Sequence, residues 1–135
     1  MSEPMSVPVP DTGRQDRRWE AVSFHRLDQM VRGWFVGDFQ PAALSLGAAE
    51  AAIQHFPAGT VEAEHHHRAA TEVTVIVSGR AVMCGRVVEA GDILVLPPGT
   101  ATSFEALEDT VTAVVKTPSV PGDKYPGAFD PEGNA

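Results

Sequence analysis

From Trp34 onward the apolar residues come in short runs, with Gly or Pro between most of them. Trp34-Phe35-Val36 reads as a strand, punctuated by Gly37-Asp38 and Pro41. Residues 51–56 form another, ended by the turn Pro57-Ala58-Gly59. A polar stretch carrying His65 and His67 follows, then the β-branched run Val73-Thr74-Val75-Ile76-Val77 and a turn at Ser78-Gly79. Ala81-Val82-Met83 and Arg86-Val87-Val88 flank Cys84-Gly85, the pattern of a tight hairpin. After the turn Gly91-Asp92, Ile93-Leu94-Val95-Leu96 predicts a buried strand, stopped by Pro97-Pro98-Gly99. Residues 102–106 and 111–116 complete the set. Many short strands at regular spacing predict an all-β chain, an antiparallel sandwich or barrel.

The two ends differ from this pattern. Residues 1–18 carry Pro4, Pro8 and Pro10 among small and polar residues, too little apolar surface to offset the entropy of ordering them. They read as a flexible tail. Residues 19–33 fit either a short helix, with Phe24, Leu27, Met30 and Val31 on one side, or an entering strand. Residues 118–135 contain Pro118, Pro121, Pro126 and Pro131 and read as a flexible, extended arm that packs on the body through Tyr125 and Phe129. The barrel domain is expected to span residues 19–117.

The candidate chemistry lies between Gly59 and Gly79. On a strand, residues two apart point to the same face about 6–7 Å from one another. His65 and His67 stand in that relation, and Glu72 opens the next strand. Two imidazoles and a carboxylate on the inside of a barrel suit a first-row transition metal. His66 alternates to the other face and reads as exposed or as a supporting residue. Cys84 sits at a hairpin tip and reads as an exposed thiol, and His25 lies in the ambiguous leading segment.

Composition narrows the partners. A chain of 135 residues suits one domain. Its net charge of −8, with no dense Lys/Arg cluster, argues against nucleic acid and against an anionic membrane surface. No apolar run approaches a membrane span, and the start lacks the form of a signal peptide. One cysteine excludes an internal disulfide, so a reducing, cytoplasmic setting is the expectation.

Gly59, His65, His67, Glu72 and Gly79 match every fixed position of the first motif of the cupin superfamily, which the chain resembles over roughly residues 34–117. Gly91, Pro97 and Gly99 match the second motif, but Thr102 stands at its His and Ala106 at its Asn. The resemblance implies a double-stranded β-helix, or jelly roll, with a metal inside the barrel, and a homodimer. It implies His65, His67 and Glu72 as ligands, with water or substrate at the position the missing fourth His would fill. That set resembles the two-His-one-carboxylate triad, which leaves sites open on Fe(II). Fe(II) is the first expectation; Mn, Ni and Zn fit as well.

Three functions follow as expectations. The first is a metal-dependent enzyme acting on a small oxygen-bearing metabolite, foremost an oxygenase. The second is an isomerase, epimerase or lyase on a sugar or small acid. The third is a non-catalytic module that binds a small ligand. Thr102, Gln54, His55, Phe104 and Ile76 are candidates to line the pocket. Phe56, Met83, Ile93 and Val95 are expected mainly in the core, and Trp34 and Phe35 at a dimer contact or lid.

Overall fold

The structure, a computed structural model, describes residues 17–132. The expected N-terminal tail lies almost wholly outside the described residues. The ambiguous leading segment forms neither the short helix through Phe24, Leu27, Met30 and Val31 nor a strand of the sheets. It holds single turns of 3-10 helix at Arg17–Trp19 and Leu27–Gln29, with irregular chain between.

Eleven strands follow among the described residues: β1 (Trp34–Gly37), β2 (Leu44–Ser45), β3 (Glu50–Phe56), β4 (Val61–His66), β5 (Thr71–Ser78), β6 (Arg80–Met83), β7 (Arg86–Glu89), β8 (Ile93–Leu96), β9 (Thr102–Ala106), β10 (Thr110–Thr117) and β11 (Tyr125–Pro126). They form two sheets, β2-β1-β3-β10-β5-β8 and β11-β4-β9-β6-β7. Every pairing is antiparallel except β1 with β2. This is the double-stranded β-helix that the sequence resemblance implies.

Alternation decides what each sheet turns inward. In β9, Thr102, Phe104 and Ala106 are buried and Ser103 and Glu105 exposed. In β10, Thr110, Thr112 and Val114 are buried. The two sheets meet over a cluster of Ile76, Ala81, Met83, Val88, Leu96, Phe104 and Ala106, against which Phe56 and Leu94 pack. The rings of Phe56 and Phe104 lie 4.6 Å apart and add an aromatic contact to that burial. The cluster fills one end of the barrel, so the inward residues at the other end surround a cavity.

Ile93 and Val95 do not join this core. They are 64% and 62% exposed. The run Ile93-Leu94-Val95-Leu96 looks buried on both faces in sequence, but only Leu96 is fully enclosed. The physical reason is that one face of this sheet has no layer on it. Two turns show how tightly the connections are specified. Cys84 and Gly85 both adopt positive φ, 54° and 73°, as a two-residue hairpin loop needs. At Gly79, with φ of 90°, an added Cβ would lie 2.3 Å from the Asp109 carbonyl oxygen.

The C-terminal segment is held rather than free. Tyr125 and Pro126 pair with His66 and His65 on the edge of β4. Tyr125 stacks on the His66 ring and Phe129 meets that ring edge-on. Asp123, 7% exposed, accepts hydrogen bonds from the backbone N–H groups of Arg68, Ala69 and Ala70. Burial pushes its carboxyl upward, but those three donors outweigh it and hold Asp123 below the usual aspartate range. A carboxyl depressed on folding stabilises fully above its unfolded pKa, and that stability is lost as pH falls through the folded value. Asp123→Ala is therefore expected to lower stability at pH 7 by about 2 kcal/mol. The gap from the native chain should narrow once the pH drops below 3.8. Urea unfolding of both proteins from pH 7 to pH 3 measures it.

Candidate metal centre

His65, His67 and Glu72 reach the cavity from β4 and β5. A one-residue bulge between Glu62 and His65 in β4 sets their phase. It places Glu62 opposite Phe104 and His65 opposite Thr102, so both face inward although they are three apart. Alternation then carries His67 inward and His66 outward.

The hydrogen bonds separate the three imidazoles. His65 Nδ1 donates to the Ala63 carbonyl at 3.2 Å, and His67 Nδ1 donates to the Asp123 carbonyl. A carbonyl only accepts, so Nδ1 carries a proton in both rings, and in the neutral ring it is Nε2 that offers a lone pair. His66 has the same tautomer, with Nδ1 donating to the Gly127 carbonyl at 2.7 Å, but its Nε2 accepts from Arg68 Nε at 3.2 Å. His66 is thus consumed by structure. It is 1% exposed, so of the two expectations, exposed or supporting, the first fails, because the arm covers the face it points to.

His67 Nε2 lies 3.3 Å from Glu72 Oε1. The contact is short but not aligned as a hydrogen bond, and the buried Nε2 has no hydrogen-bond partner in the protein. A buried nitrogen lone pair beside a carboxylate fits a cation. Burial, the largest influence on His65, holds its pKa below the usual 6.5, which keeps the ring neutral at neutral pH. For Glu72, burial raises the pKa, while the adjacent His67 ring and the hydrogen bond from Thr74 Oγ1 outweigh that and hold the carboxyl below its usual range. The His65 and His67 rings are 5.3 Å apart and nearly perpendicular. Among the described residues, no three His, Cys, Asp or Glu side chains are already gathered around one point.

The cavity measures about 140 Å³. Gln54, Thr102 and Phe104 line it, as do Trp34, Phe56, Met83, Thr74 and Thr112. Two expected lining residues lie elsewhere. Ile76 is fully enclosed in the apolar cluster, and His55 is exposed on the opposite face of β3. Thr102 lines the wall, but its hydroxyl is engaged: Oγ1 accepts from Cys84 N at 2.9 Å and donates to the Ser103 carbonyl at 2.8 Å. The residue at the missing fourth His thus ties the β6–β7 hairpin to β9.

Sequence reading missed Asp123, Thr112 and Arg32. Thr112 had a usable signal, since alternation in β10 aligns it with Val114 and Lys116 on the inward face. Asp123 follows Pro121-Gly122, a turn whose carboxylate seeks nearby N–H groups, but its target fifty-odd residues earlier is not readable. Arg32 precedes Gly33 and a strand, which marks a turn and not a cavity.

No protein-family model matches the chain, and no curated protein matches it. Solved structures do. KdgF from Halomonas sp. is 25% identical, with a TM-score of 0.51 over 56% of this chain and 73% of that one. A conserved Klebsiella pneumoniae protein with a double-stranded β-helix domain is 20% identical, with a TM-score of 0.60 over 86% of this chain and 99% of its own. Oxalate decarboxylase from Bacillus subtilis is 20% identical, with a TM-score of 0.52 over 59% of this chain, which spans 24% of that protein.

Thr112 Oγ1, in a side chain 2% exposed, also lacks a hydrogen-bond partner in the protein. Val has the same shape without the hydroxyl. Thr112→Val is expected to raise stability by about 1 kcal/mol, because it removes a buried polar group that the fold does not satisfy. Chemical unfolding of the two proteins tests this, and a loss of stability would show that the hydroxyl is satisfied within the fold.

Proposed function

We propose that this chain, a cupin with the double-stranded β-helix its structural neighbours share, is a metal-dependent enzyme acting on a small oxygen-bearing metabolite. His65, His67 and Glu72 are its ligands, and oxygenase is the leading reaction class. The observation that carries this reading is the buried, unpartnered Nε2 of His67, 3.3 Å from the Glu72 carboxylate. A divalent metal bound there, Fe(II) first with Mn, Ni or Zn as alternatives, supplies Lewis-acid polarisation or activation of dioxygen.

The chain's own residues have separate tasks. Ala63 and Asp123 carbonyls engage Nδ1 of His65 and His67, which leaves Nε2 as the nitrogen each ring would offer to an ion. Glu72 contributes the one negative charge of the set. Phe56, Met83 and Phe104 form an apolar wall that limits water around the reacting group. Thr102 provides no imidazole, which leaves that side of the site open to substrate. Among the described residues the three side chains are not gathered around one point, so they would have to draw together to hold an ion.

The deciding experiment is elemental analysis of protein purified without chelator or a nickel column, beside a His65→Ala/His67→Ala variant. Near-stoichiometric metal in the native protein and its loss in the variant are expected. Equal metal in both would overturn the ligand assignment. Turnover that persists without dioxygen would replace the oxygenase reading with an isomerase or lyase.

A homodimer belongs to the same reading. Its support is the outer face of the larger sheet, where Val77, Ile93, Val95 and Val115 are all exposed. The pairing register puts Val95 beside Val73 and Val73 beside Val115, so these apolar residues adjoin one another. Light scattering should report a dimer for the native chain and a monomer for Val95→Lys. A native monomer would remove this part of the reading.

A further inference from the structure

Resting on the metal-enzyme reading, we propose that the cavity takes the carboxylate of a small organic acid, gripped at the mouth by Arg32 and hydrogen-bonded in the depth by Thr112.

Charge is the first ground. The chain carries a net charge of −8, yet Arg32, Lys116 and Lys124 all line this one cavity. Lys116 is committed to the wall: its Nζ lies 3.1 Å from Glu50 Oε1 and 4.7 Å from the Trp34 ring centre. Arg32 is held far more loosely. Its nearest carboxylate, Glu62 Oε2, is 3.9 Å from Nη2, beyond a good hydrogen bond, and its side chain is largely exposed. The guanidinium is therefore available to a ligand entering the mouth.

Backbone geometry is the second ground. Arg32 has φ of 53°, a left-handed conformation that a non-glycine residue adopts at a penalty. With Gly33, at φ of 81°, it forms a two-residue turn closed by Trp34 N donating to the Val31 carbonyl at 3.0 Å. The turn is clamped to β3. Ile53 N donates to the Gly33 carbonyl at 3.1 Å, and Gln54 Nε2 donates to the Arg32 carbonyl at 3.1 Å. At Gly33 an added Cβ would lie 1.9 Å from the Ile53 carbonyl oxygen, so no larger residue fits there. Glycine or asparagine would hold position 32 with less strain. The strain is explained if the long cationic side chain is needed above the cavity.

The third ground is Thr112. Its hydroxyl is buried, lines the cavity and has no partner in the protein. Whatever satisfies it must come from the cavity contents. A carboxylate or an adjacent hydroxyl of a bound acid supplies the oxygen. Phosphate fits less well, because the cavity has no helix N-terminus to cradle it and carries Glu62 and Glu72 on its wall.

The test is calorimetric titration at neutral pH with malonate and succinate, beside their uncharged diamides and inorganic phosphate. The protein is loaded with Mn(II), and retention is followed by the resonance signal of free Mn(II). At least one acid should bind and its diamide should not. Arg32→Ala should weaken the acid about tenfold or more. Thr112→Val should weaken it about fivefold, with Mn(II) retained in both variants. Acid affinity that ignores Arg32, a diamide that binds as tightly as its acid, or phosphate binding more tightly than either acid would overturn the inference. Failure of the metal reading shows separately, as an undiminished free Mn(II) signal. Titration of the metal-free protein then decides: acid binding that depends on Arg32 and Thr112 upholds the carboxylate site, and no binding rejects it.

Discussion

The contact on which the site depends is made by one residue of the C-terminal arm. The side chain of Asp123 gathers the backbone N–H groups of residues 68–70, the link between the strands that carry His65 and Glu72. Its carbonyl accepts a hydrogen bond from His67 Nδ1. One residue therefore fixes both the path between His67 and Glu72 and the nitrogen that His67 turns toward the cavity. A ring free to change tautomer would offer a lone pair only part of the time. Strand pairing of Tyr125 and Pro126 with β4, and the stack of Tyr125 on His66, hold the arm where Asp123 can act. A segment that looks like a trailing end in sequence thus sets the geometry of the centre.

Much of the barrel was legible because period-two alternation and Gly/Pro punctuation are local signals. The strands that hold His65, His67 and Glu72, and the Cys84-Gly85 hairpin, follow from them directly. What escaped depends on contacts between distant residues. His66 was read as outward-facing, which is true of its strand phase. It is buried because residues 125–129 lie over that face. Ile93 and Val95 were read as core because an apolar run carries no information on how many layers the sheet will have. The bulge before His65 is also silent in sequence, yet without it Glu62 and His65 would lie on opposite faces.

The barrel divides its interior between stability and chemistry. One end is closed by Ile76, Leu96, Phe104 and their neighbours, whose burial is the main favourable contribution to folding. That plug permits the other end to hold groups that are poor choices for a core. His67 Nε2 and Thr112 Oγ1 are both buried there without partners, and each such atom carries a penalty of about 1–3 kcal/mol. Buried polar groups in proteins are nearly always satisfied, so these two atoms look to the contents of the cavity, solvent or ligand, for their partners.

The fate of Thr102 helps to decide between a working centre and a decayed one. A ligand position that had simply been lost would be expected to hold a residue indifferent to its surroundings. Thr102 instead uses its hydroxyl twice, toward Cys84 N and the Ser103 carbonyl. Both candidate histidines donate Nδ1 to a backbone carbonyl, and Glu72 is held below its usual pKa range beside them. The cations are placed with equal care, since Lys116 is neutralised by Glu50 while Arg32 is held over the mouth in a strained turn. A guanidinium held only loosely by Glu62, 3.9 Å away at the entrance, and an unsatisfied hydroxyl inside the cavity fit the binding of a small anion. Decay of a four-ligand site would account for the missing histidine, but not for Arg32 or for the orphaned hydroxyl of Thr112.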